Sequence, residues 1–424
     1  MFTSFFYIIS QLWYNKCMNR KIVLAGLHLE NVVDYESQFE ETKGLVEACE
    51  YEIVGSIIQK RRTPHPATFF GEGKVFEIKE LIEETHADAC MIASSITPSQ
   101  MRTLKEMLGV RVFDRNDCIL EIFGLRANTK QAKLQVELAT LKHELPFVIH
   151  TQQNFSRMRG GNKNKGEGEK QYQLDQRKYE IQIQQVEKKL KDVKKSLTTM
   201  KRKRENSDLK LVSLVGYTNA GKSTCMNQIL KLCDVSDDKQ VFVKDMLFAT
   251  LDTSIRRVSY KGVEFLLSDT VGFISHLPHE LVDAFHSTLE SVVDADLILQ
   301  VVDESSESRF EHMEVTKNTL KKLNVEDTDM WILHNKCDNS EFKKNESKHF
   351  YISATKNIGL TDVLDAIINE IKKDYETLTI NVRYEDYELN SKVHQLSKIL
   401  NVEELEDSYK YEIEVHKNYV HNFK

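Results

Sequence analysis

The sequence predicts an α/β fold that is interrupted by a long helical hairpin. Three patterns predict it: strands and helices alternate up to residue 127, leucines at helical spacing follow, and strands and helices alternate again beyond residue 209. Strands that alternate with helices form βαβ units around parallel sheets. The chain has 424 residues, 41% of them hydrophobic, and 16 glycines, which excludes collagen-like, low-complexity and wholly disordered proteins.

Residues 18–127 are predicted to form an N-terminal α/β domain. Its strands are indicated by the apolar runs Ile22–Gly26, Ile53–Ile58, Ala89–Ala93 and Val110–Phe113. The preceding residues 1–17 include an apolar stretch, Met1–Trp13, which is too short to span a bilayer, because that needs about 20 apolar residues. We expect them to be a non-native or disordered extension, with Met18 as the true start, and we expect no transmembrane segment.

Residues 128–208 are predicted to form a helical hairpin. Two sets of apolar residues recur three or four positions apart, as in the seam of a short coiled coil. The first set is Leu134, Leu138, Leu141 and Leu145, and the second is Ile183, Val186, Leu190, Val193, Leu197 and Met200. On periodicity alone, a packed bundle without a special role is the better explanation of this pattern.

Charge sets this segment apart from the rest of the chain. The whole chain carries a net charge of −7, yet Arg157–Glu205 holds sixteen Lys and Arg against seven Asp and Glu. This segment therefore has a net charge of +9, and the rest of the chain has a net charge of −16. A positively charged segment of this kind is typical of a binding surface for polyanions such as nucleic acid. Solvated helices are also often rich in lysine, so charge alone leaves both interpretations open.

A phosphate-binding motif follows the hairpin. The apolar strand Leu211–Val215 runs into a G-x-x-x-x-G-K-S sequence, and a helix follows. Glycines let backbone N–H groups wrap around phosphate oxygens, and the helix N-terminus adds a favourable dipole. Lys222 is predicted to reach the β- and γ-phosphates, and Ser223 to ligate Mg²⁺. The predicted phosphate-binding residues are Gly216, Tyr217, Thr218, Asn219, Ala220, Gly221, Lys222 and Ser223.

Two later motifs predict that the base is guanine. Asp338 ends an Asn-Lys-Cys-Asp sequence, and its carboxylate can accept hydrogen bonds from guanine N1–H and the 2-amino group, a pair that adenine lacks. Such polar matching discriminates strongly. A Ser-Ala-Thr sequence after the next strand would present backbone N–H groups to guanine O6. The predicted base-binding residues are Asn335, Lys336, Cys337, Asp338, Ser353, Ala354 and Thr355.

Two motifs between these elements are candidates for sensing the γ-phosphate. Asp269 is expected to hold Mg²⁺ through water, and the Gly272 N–H to face the γ-phosphate. Thr250 is the candidate Mg²⁺ ligand and γ-phosphate sensor of a switch loop. The residues assigned to these two motifs are Phe248, Ala249, Thr250, Leu251, Asp252, Asp269, Thr270, Val271 and Gly272.

Along the chain the five motifs follow one another at residues 216–223, 248–252, 269–272, 335–338 and 353–355. In that order they predict a P-loop GTPase domain with a mixed sheet over residues 209–373. Its predicted catalytic residues are Lys222, Thr250 and Gly272. Many GTPases place a glutamine after the Asp-x-x-Gly motif to orient the attacking water. Here the residue is Phe273, which can neither donate nor accept a hydrogen bond. We therefore expect slow intrinsic hydrolysis and a partner that stimulates turnover.

Three blocks together resemble the HflX family of ribosome-associated GTPases. The first is the loop Thr63–Lys74, the second is Ile122–Thr129 followed by Lys133–Ala139, and the third combines the P-loop, Phe248–Asp252 and Asp269–Ile274. The resemblance covers about Met18 to Lys424. It implies an N-terminal nucleotide-binding-like α/β domain and a small C-terminal α/β domain over residues 374–424.

The resemblance also implies a function. HflX-like proteins bind the large ribosomal subunit, split or rescue stalled ribosomes under stress, and hydrolyse GTP with Mg²⁺ when bound there. We expect the basic hairpin to contact ribosomal RNA and the chain to act as a cytoplasmic monomer. The family's N-terminal domain has been linked to ATP, but Gly71-Glu-Gly-Lys74 is too short a block to assign that role and is better explained as a loop.

The chain departs from the family at the glycine-rich loop of the hairpin. The family usually has Gly-Gly-x-Gly-x-Arg-Gly-Pro-Gly-Glu, whereas this chain has Lys165 for the arginine and Glu167 for the proline. Lysine lacks the planar, bidentate phosphate chemistry of arginine, which puts efficient ribosome splitting in question. Two alternatives remain: a nucleotide-gated ribosome-binding module for silencing, and a GTPase that acts on other RNA or protein partners.

Overall fold

The computed structural model describes residues 20–30, 35–153, 174, 176–193, 195, 209–233, 254–275, 290–325, 328–339 and 345–423. Three predicted features lie outside these residues: the extension over residues 1–17, the glycine-rich loop 160–169, and the switch motif Phe248–Asp252 with Thr250.

The N-terminal domain is a four-stranded parallel sheet with helices on both faces. Its strands are β1 (Arg20–Leu29), β2 (Tyr51–Arg61), β3 (Ala89–Ile92) and β4 (Arg111–Asp114), in the order β2-β1-β3-β4. Its helices are α1 (Tyr35–Ala48), α2 (Glu72–Thr85), α3 (Pro98–Leu108) and α4 (Arg115–Arg126). Alternate residues of β1 enter two apolar cores, with Leu24 facing α1 and α4 and Val23 facing α2 and α3.

Local capping fixes where two of these helices begin. Thr97 accepts a hydrogen bond from the Gln100 backbone, and the Gln100 side chain accepts one from the Thr97 N–H, with Pro98 at the first helical position. This reciprocal arrangement satisfies donors that the helix leaves without partners. Asp114 caps α4 in the same way, with Asp117 as its partner.

The hairpin packs along the apolar seam that the sequence predicts. Its first helix is α5 (Lys130–Gln153), and residues 176–193 are helical and form α6. Leu134, Leu138 and Leu141 of α5 share one cluster with Val186 and Leu190 of α6. An ion pair of 3.1 Å between Lys142 and Glu187 joins the same two helices.

The GTPase domain is a six-stranded mixed sheet, as predicted. Its strands are β5 (Leu211–Gly216), β6 (Ser254–Tyr260), β7 (Val263–Asp269), β8 (Leu297–Asp303), β9 (Asp329–Asn335) and β10 (His349–Tyr351), in the order β10-β9-β8-β5-β7-β6. Only β6 runs antiparallel within this set. The helices described here are α7 (Lys222–Leu232), α8 (Glu290–Val293), α9 (Arg309–Lys322) and α10 (Leu360–Lys372).

The strand order explains where ligands can bind. Strand β5 pairs with β7 on one side and with β8 on the other. Ligands of open α/β sheets bind beyond the carboxyl ends of such strands, where the chain departs to opposite sides. The loop after β5 therefore lies at the centre of the binding edge.

The C-terminal part corrects one expected boundary. The sequence predicts a helix over about Leu389–Leu400, but α11 (Tyr387–Leu396) ends earlier and Ser397 adopts an extended conformation. Residues Ser397–Glu404 form β12, which pairs with β13 (Ser408–His416), and β13 pairs with β11 (Tyr375–Arg383). Backbone pairing with β13 overrides the helical pattern, a tertiary effect that local sequence does not reveal. Within the described residues, no helix is long and apolar enough to cross a membrane.

A partly buried ion pair ties the hairpin to the N-terminal domain. His143 of α5 lies 3.0 Å from the Asp117 carboxylate of α4. Burial by itself lowers the pKa of His143, but the hydrogen bond and charge of Asp117 outweigh it and raise that pKa above its usual value. The same contact, against the opposing effect of burial, lowers the pKa of Asp117.

We expect His143→Gln to lower the apparent melting temperature most between about pH 4.5 and 6. The contribution of a histidine with a raised pKa is complete below its unfolded pKa of about 6.5 and is lost as pH rises through the folded pKa. The Asp117 contribution is lost as pH falls below about 4. Melting curves of His143→Gln, with the exposed His421→Gln as control, measure this. An equal loss at about pH 5.5 and 8.5 would contradict it.

Candidate nucleotide site

The P-loop has a backbone that only glycine can follow at two positions. Gly216 has φ +144°, and a Cβ there would lie 2.2 Å from the Val301 carbonyl oxygen. Gly221 has φ +93°, and a Cβ there would lie 2.3 Å from the Asn335 side-chain nitrogen. These close approaches explain both glycines of the motif.

Lys222 lies along the inside of this loop. Its ammonium donates to the Gly216 carbonyl at 3.0 Å and to the Tyr217 carbonyl at 2.7 Å. Burial lowers the pKa of Lys222 to about 8, although the negative charge of Asp269 acts in the opposite direction. A phosphate group beside the ammonium would favour its charged form. The geometry therefore suits a lysine whose positive charge is stabilised when a phosphate group binds beside it.

The oxygen atoms expected around Mg²⁺ lie together. The Ser223 hydroxyl donates to Asp269 Oδ2 at 2.6 Å, and Asp269 is fully buried at the end of β7. Mg²⁺ takes hard oxygen ligands, usually one or two carboxylates or hydroxyls besides water and phosphate oxygens. This donor set fits the ion, and the other predicted ligand, Thr250, lies outside the described residues.

Asn335 connects the base motifs to the P-loop. Its side-chain N–H donates to the Ala220 carbonyl at 2.8 Å, and its side-chain oxygen accepts from the Ala354 N–H at 3.0 Å. Three predicted segments therefore meet at one amide: residues 216–223, 335–338 and 353–355. The sequence placed Asn335 in the site but gave no indication of this tethering role.

Two neighbouring side chains stabilise the ionised form of Asp338, the predicted guanine-binding carboxylate. A hydrogen bond from Ser353 and the ammonium of Lys356, which is 3.0 Å away, lower the pKa of Asp338. An ionised carboxylate is the form that accepts two hydrogen bonds from guanine. Nearby, Lys336 has φ +62° and pairs with Asp303 at 2.7 Å, which ties this loop to the end of β8.

The segment after β7 lies on the P-loop. The Phe273 N–H donates to the Gly216 carbonyl at 3.1 Å, and the Thr218 N–H donates to the Phe273 carbonyl at 2.8 Å. The Phe273 ring is buried in an apolar cluster with Val215 and Leu320. Phe273 is therefore a core residue, and its side chain has no route to an attacking water.

The side chain of Tyr217 is a feature that the sequence did not reveal. The motif named Tyr217 only for its backbone, but its ring stacks on His312 of α9 at 3.8 Å. Glu41 of α1 accepts a hydrogen bond from its hydroxyl. These groups line a cavity of about 230 Å³, which the predicted guanine-binding residues do not line.

Three protein-family models match consecutive parts of the chain. Residues 36–124 match the N-terminal region of GTP-binding GTPases, residues 126–204 their middle region, and residues 211–336 a family described as 50S ribosome-binding GTPases. The GTPase HflX of Caldanaerobacter subterraneus subsp. tengcongensis is 35% identical and covers 89% of this chain, which spans 88% of that protein. The GTPase HflX of Escherichia coli (strain K12) is 33% identical, with 89% of each chain covered.

The chain belongs to the HflX family of GTPases. It is accordingly a P-loop enzyme that hydrolyses GTP. Among solved structures, a GTP-binding protein from Sulfolobus solfataricus in complex with GDP is similar, with 22% identity, a TM-score of 0.45, and 83% of this chain and 99% of that chain covered. The assignment to HflX rests on the sequence relatives.

We expect Gly272→Ala to weaken binding of a non-hydrolysable GTP analogue by at least about tenfold. The new Cβ would lie 2.8 Å from Thr218 Cγ2 and 3.0 Å from Lys222 Nζ. The segment after β7 that contains residue 272 must therefore move away from the P-loop. GDP should be affected less, because the Gly272 N–H is predicted to face the γ-phosphate. Nucleotide titrations test this, with Gly124→Ala, which meets nothing within 4 Å, as control. Equal losses for both nucleotides would contradict the prediction.

We expect Asp338→Asn to exchange guanine for xanthine. The asparagine amide would meet the guanine 2-amino group donor to donor, but it would pair with the xanthine 2-oxo group. The absence of a matched polar pair should weaken GTP binding by about 10²-fold or more. Competition between GTP and xanthosine triphosphate measures the exchange. If both nucleotides bound equally weakly, Asp338 would have a structural role only.

Proposed function

We propose that this HflX-family chain is a Mg²⁺-dependent GTPase that binds the large ribosomal subunit and splits or rescues ribosomes under stress in the cytoplasm. The observation that carries the proposal is the juxtaposition of Lys222, Ser223–Asp269 and Asn335 at one sheet edge. The match of residues 211–336 to 50S ribosome-binding GTPases supports the choice of partner.

Each described residue of the site has a distinct task in this proposal. Lys222 neutralises charge that develops on the phosphate oxygens, which is the main way that P-loop enzymes accelerate phosphoryl transfer. Ser223 would ligate Mg²⁺ directly and Asp269 would hold it through water, and the ion would supply further charge neutralisation. Asp338 selects guanine, and Asn335 keeps the base loops in register with the P-loop.

The burial of Phe273 supports partner-stimulated turnover. The ring is 4% exposed and lies among apolar side chains, so the residue in the position of the usual glutamine cannot orient water. A group from elsewhere must do so, and a bound ribosomal subunit is the proposed source. Slow hydrolysis in isolation would then restrict GTP consumption to the bound state.

The hairpin offers a basic surface for ribosomal RNA. The apolar seam of α6 faces α5, which leaves the basic side chains on its other side exposed: Arg177, Lys178, Lys188, Lys189 and Lys191, followed by Lys195 just beyond α6. Exposed cations along one helix can contact successive phosphates. The hairpin would therefore bind backbone phosphates without reading base sequence.

We expect the chain to co-sediment with large ribosomal subunits in the presence of a non-hydrolysable GTP analogue. Neutralising the exposed Lys188, Lys189 and Lys191 to glutamine should weaken binding and lower its salt dependence, by about one unit of slope for each phosphate that the hairpin no longer binds. The matched control neutralises Lys21, Lys60 and Lys105, which are exposed on the N-terminal domain. Binding that is indifferent to salt between about 50 and 200 mM would exclude this surface.

The silencing alternative predicts a different dependence on hydrolysis. A nucleotide-gated binding module needs GTP binding but not turnover. Subunit dissociation measured with GTP and with the analogue separates the two: dissociation that requires only the analogue favours a binding switch. If neither nucleotide supported binding to large subunits, the alternative of another RNA or protein partner would gain.

A further inference from the structure

A buried polar cluster joins the N-terminal domain to the P-loop. It consists of Glu41 of α1, Arg115 at the start of α4, Tyr217 of the P-loop and Ser275 of the segment after β7. We call it the interdomain cluster. Glu41 accepts from the Tyr217 hydroxyl, and its other oxygen pairs with Arg115 Nη2 at 2.5 Å. The residues come from four separate stretches of the chain, and each is mostly buried.

The hydroxyl of Tyr217 is fully used, and Glu41 sets its direction. A phenol has one proton to donate, and an acceptor-only carboxylate takes it. The Tyr217 oxygen then accepts from the Ser275 N–H at 2.8 Å and from the Ser275 hydroxyl at 2.7 Å. Burial, and then the Glu41 charge, raise the pKa of Tyr217 well above its usual value, so this hydroxyl keeps its proton. Glu41 therefore fixes the direction of the hydrogen bond between the two hydroxyls, in which Ser275 donates and Tyr217 accepts.

Arg115 completes the hold on Ser275. Its Nη2 donates to the Ser275 carbonyl at 3.3 Å, while Nη1 donates to the Thr42 hydroxyl of α1 at 2.9 Å. The amide, hydroxyl and carbonyl of Ser275 are therefore all bound by Tyr217 and Arg115. Guanidinium groups suit this task because their planar fork makes several directed bonds at once.

Apolar packing surrounds the same contact. Val271 and Ile274, which flank Gly272 and Phe273, belong to the core cluster of the N-terminal domain together with Phe39 and Ile119. The segment is therefore part of two cores: its Phe273 ring packs in the GTPase domain, and its neighbours pack in the N-terminal domain. Displacing it from the P-loop would disturb both.

We propose that Glu41 and Arg115 are positioning residues for GTP hydrolysis, which act through Tyr217 and Ser275 to hold the Gly272–Ser275 segment on the P-loop before GTP binds. Gly272 already lies beside Thr218 and Lys222 in this arrangement. Contacts with the N-terminal domain thereby fix the Gly272–Ser275 segment in advance. Without them, this segment would have to become ordered when GTP binds. Holding a binding group in place in advance removes an entropic cost of binding.

The consequence is specific to the γ-phosphate. GDP is expected to contact the P-loop and the base loops, whereas only GTP has the γ-phosphate that the Gly272 N–H is predicted to face. Weakening the interdomain cluster from the side of the N-terminal domain, as in Glu41→Gln, should leave GDP affinity unchanged and lower both the affinity for a GTP analogue and the rate of single-turnover hydrolysis. This inference concerns the GTPase reaction and stands whether or not the ribosome is the partner.

The chain contains a matched control for the test. Tyr51, Glu121 and Arg111 form the same kind of buried tyrosine–glutamate–arginine group within the N-terminal domain, with Tyr51 donating to Glu121 at 2.6 Å and accepting from Arg111 at 2.9 Å. This second group makes no contact with the P-loop among the described residues. Tyr51→Phe and Tyr217→Phe therefore remove the same hydroxyl from the same kind of environment.

The experiment compares Tyr217→Phe, Glu41→Gln and Tyr51→Phe in the full chain. Titration with fluorescent GDP and with a fluorescent non-hydrolysable GTP analogue gives the two affinities, and GDP affinity also reports folding. We expect the ratio of analogue affinity to GDP affinity to fall about five- to thirtyfold for Tyr217→Phe and Glu41→Gln, which is the size of one missing hydrogen bond near a charge. Tyr51→Phe should leave the ratio within about twofold.

A double-mutant cycle decides whether Glu41 acts through Tyr217. If it does, combining Glu41→Gln with Tyr217→Phe should lower the ratio little further than either change alone. Faster single-turnover hydrolysis in these variants would overturn the proposal, because the contact would then restrain the reaction. Equal losses for GDP and analogue, or the same loss in Tyr51→Phe, would also overturn it by showing a purely structural role.

Discussion

The side chain of Asn335 makes the contact on which the nucleotide site depends. One amide bonds the Ala220 carbonyl of the P-loop and the Ala354 amide of the loop after β10. It also lies so close to Gly221 that no side chain fits there. Strands β5, β9 and β10 deliver these loops to one edge of the sheet, but strands leave loops free to diverge. A buried amide with both ends bound removes that freedom, because breaking either bond would leave a polar group without a partner.

Charge is concentrated where the nucleotide is expected. Lys222 is almost fully buried beside carbonyl oxygens, and Asp269 is buried at the end of β7. Burying such groups is costly unless they are paired. Around Lys222 the cost shows in its lowered pKa. The triphosphate would place negative charge beside Lys222, and Mg²⁺ would place positive charge beside Asp269. Ligand binding would therefore reduce the free-energy cost of burying both groups.

The N-terminal domain and the GTPase domain share structure at the point where the γ-phosphate would be sensed. Val271 and Ile274 pack with Phe39, and the Tyr217 hydroxyl meets Glu41. A family model ends at residue 124 and another begins at residue 211, yet the apolar core is continuous between them. Side chains of both regions therefore pack together around the segment that follows β7, while His143 ties the hairpin to the same N-terminal domain.

The sequence by itself determined the parts of this protein that depend on local pattern. The alternation of strands and helices, the leucine seam and the glycine motifs follow from backbone geometry and periodicity, which neighbouring residues specify. The mixed sheet was predicted from the five motifs, which together identify a P-loop GTPase domain. Tertiary structure alone decided the end of α11, where pairing with β13 wins, and the burial of Phe273. It also decided the pairing of Tyr217 with Glu41, 176 positions apart in the chain, because a contact between distant residues leaves no periodic trace in either segment.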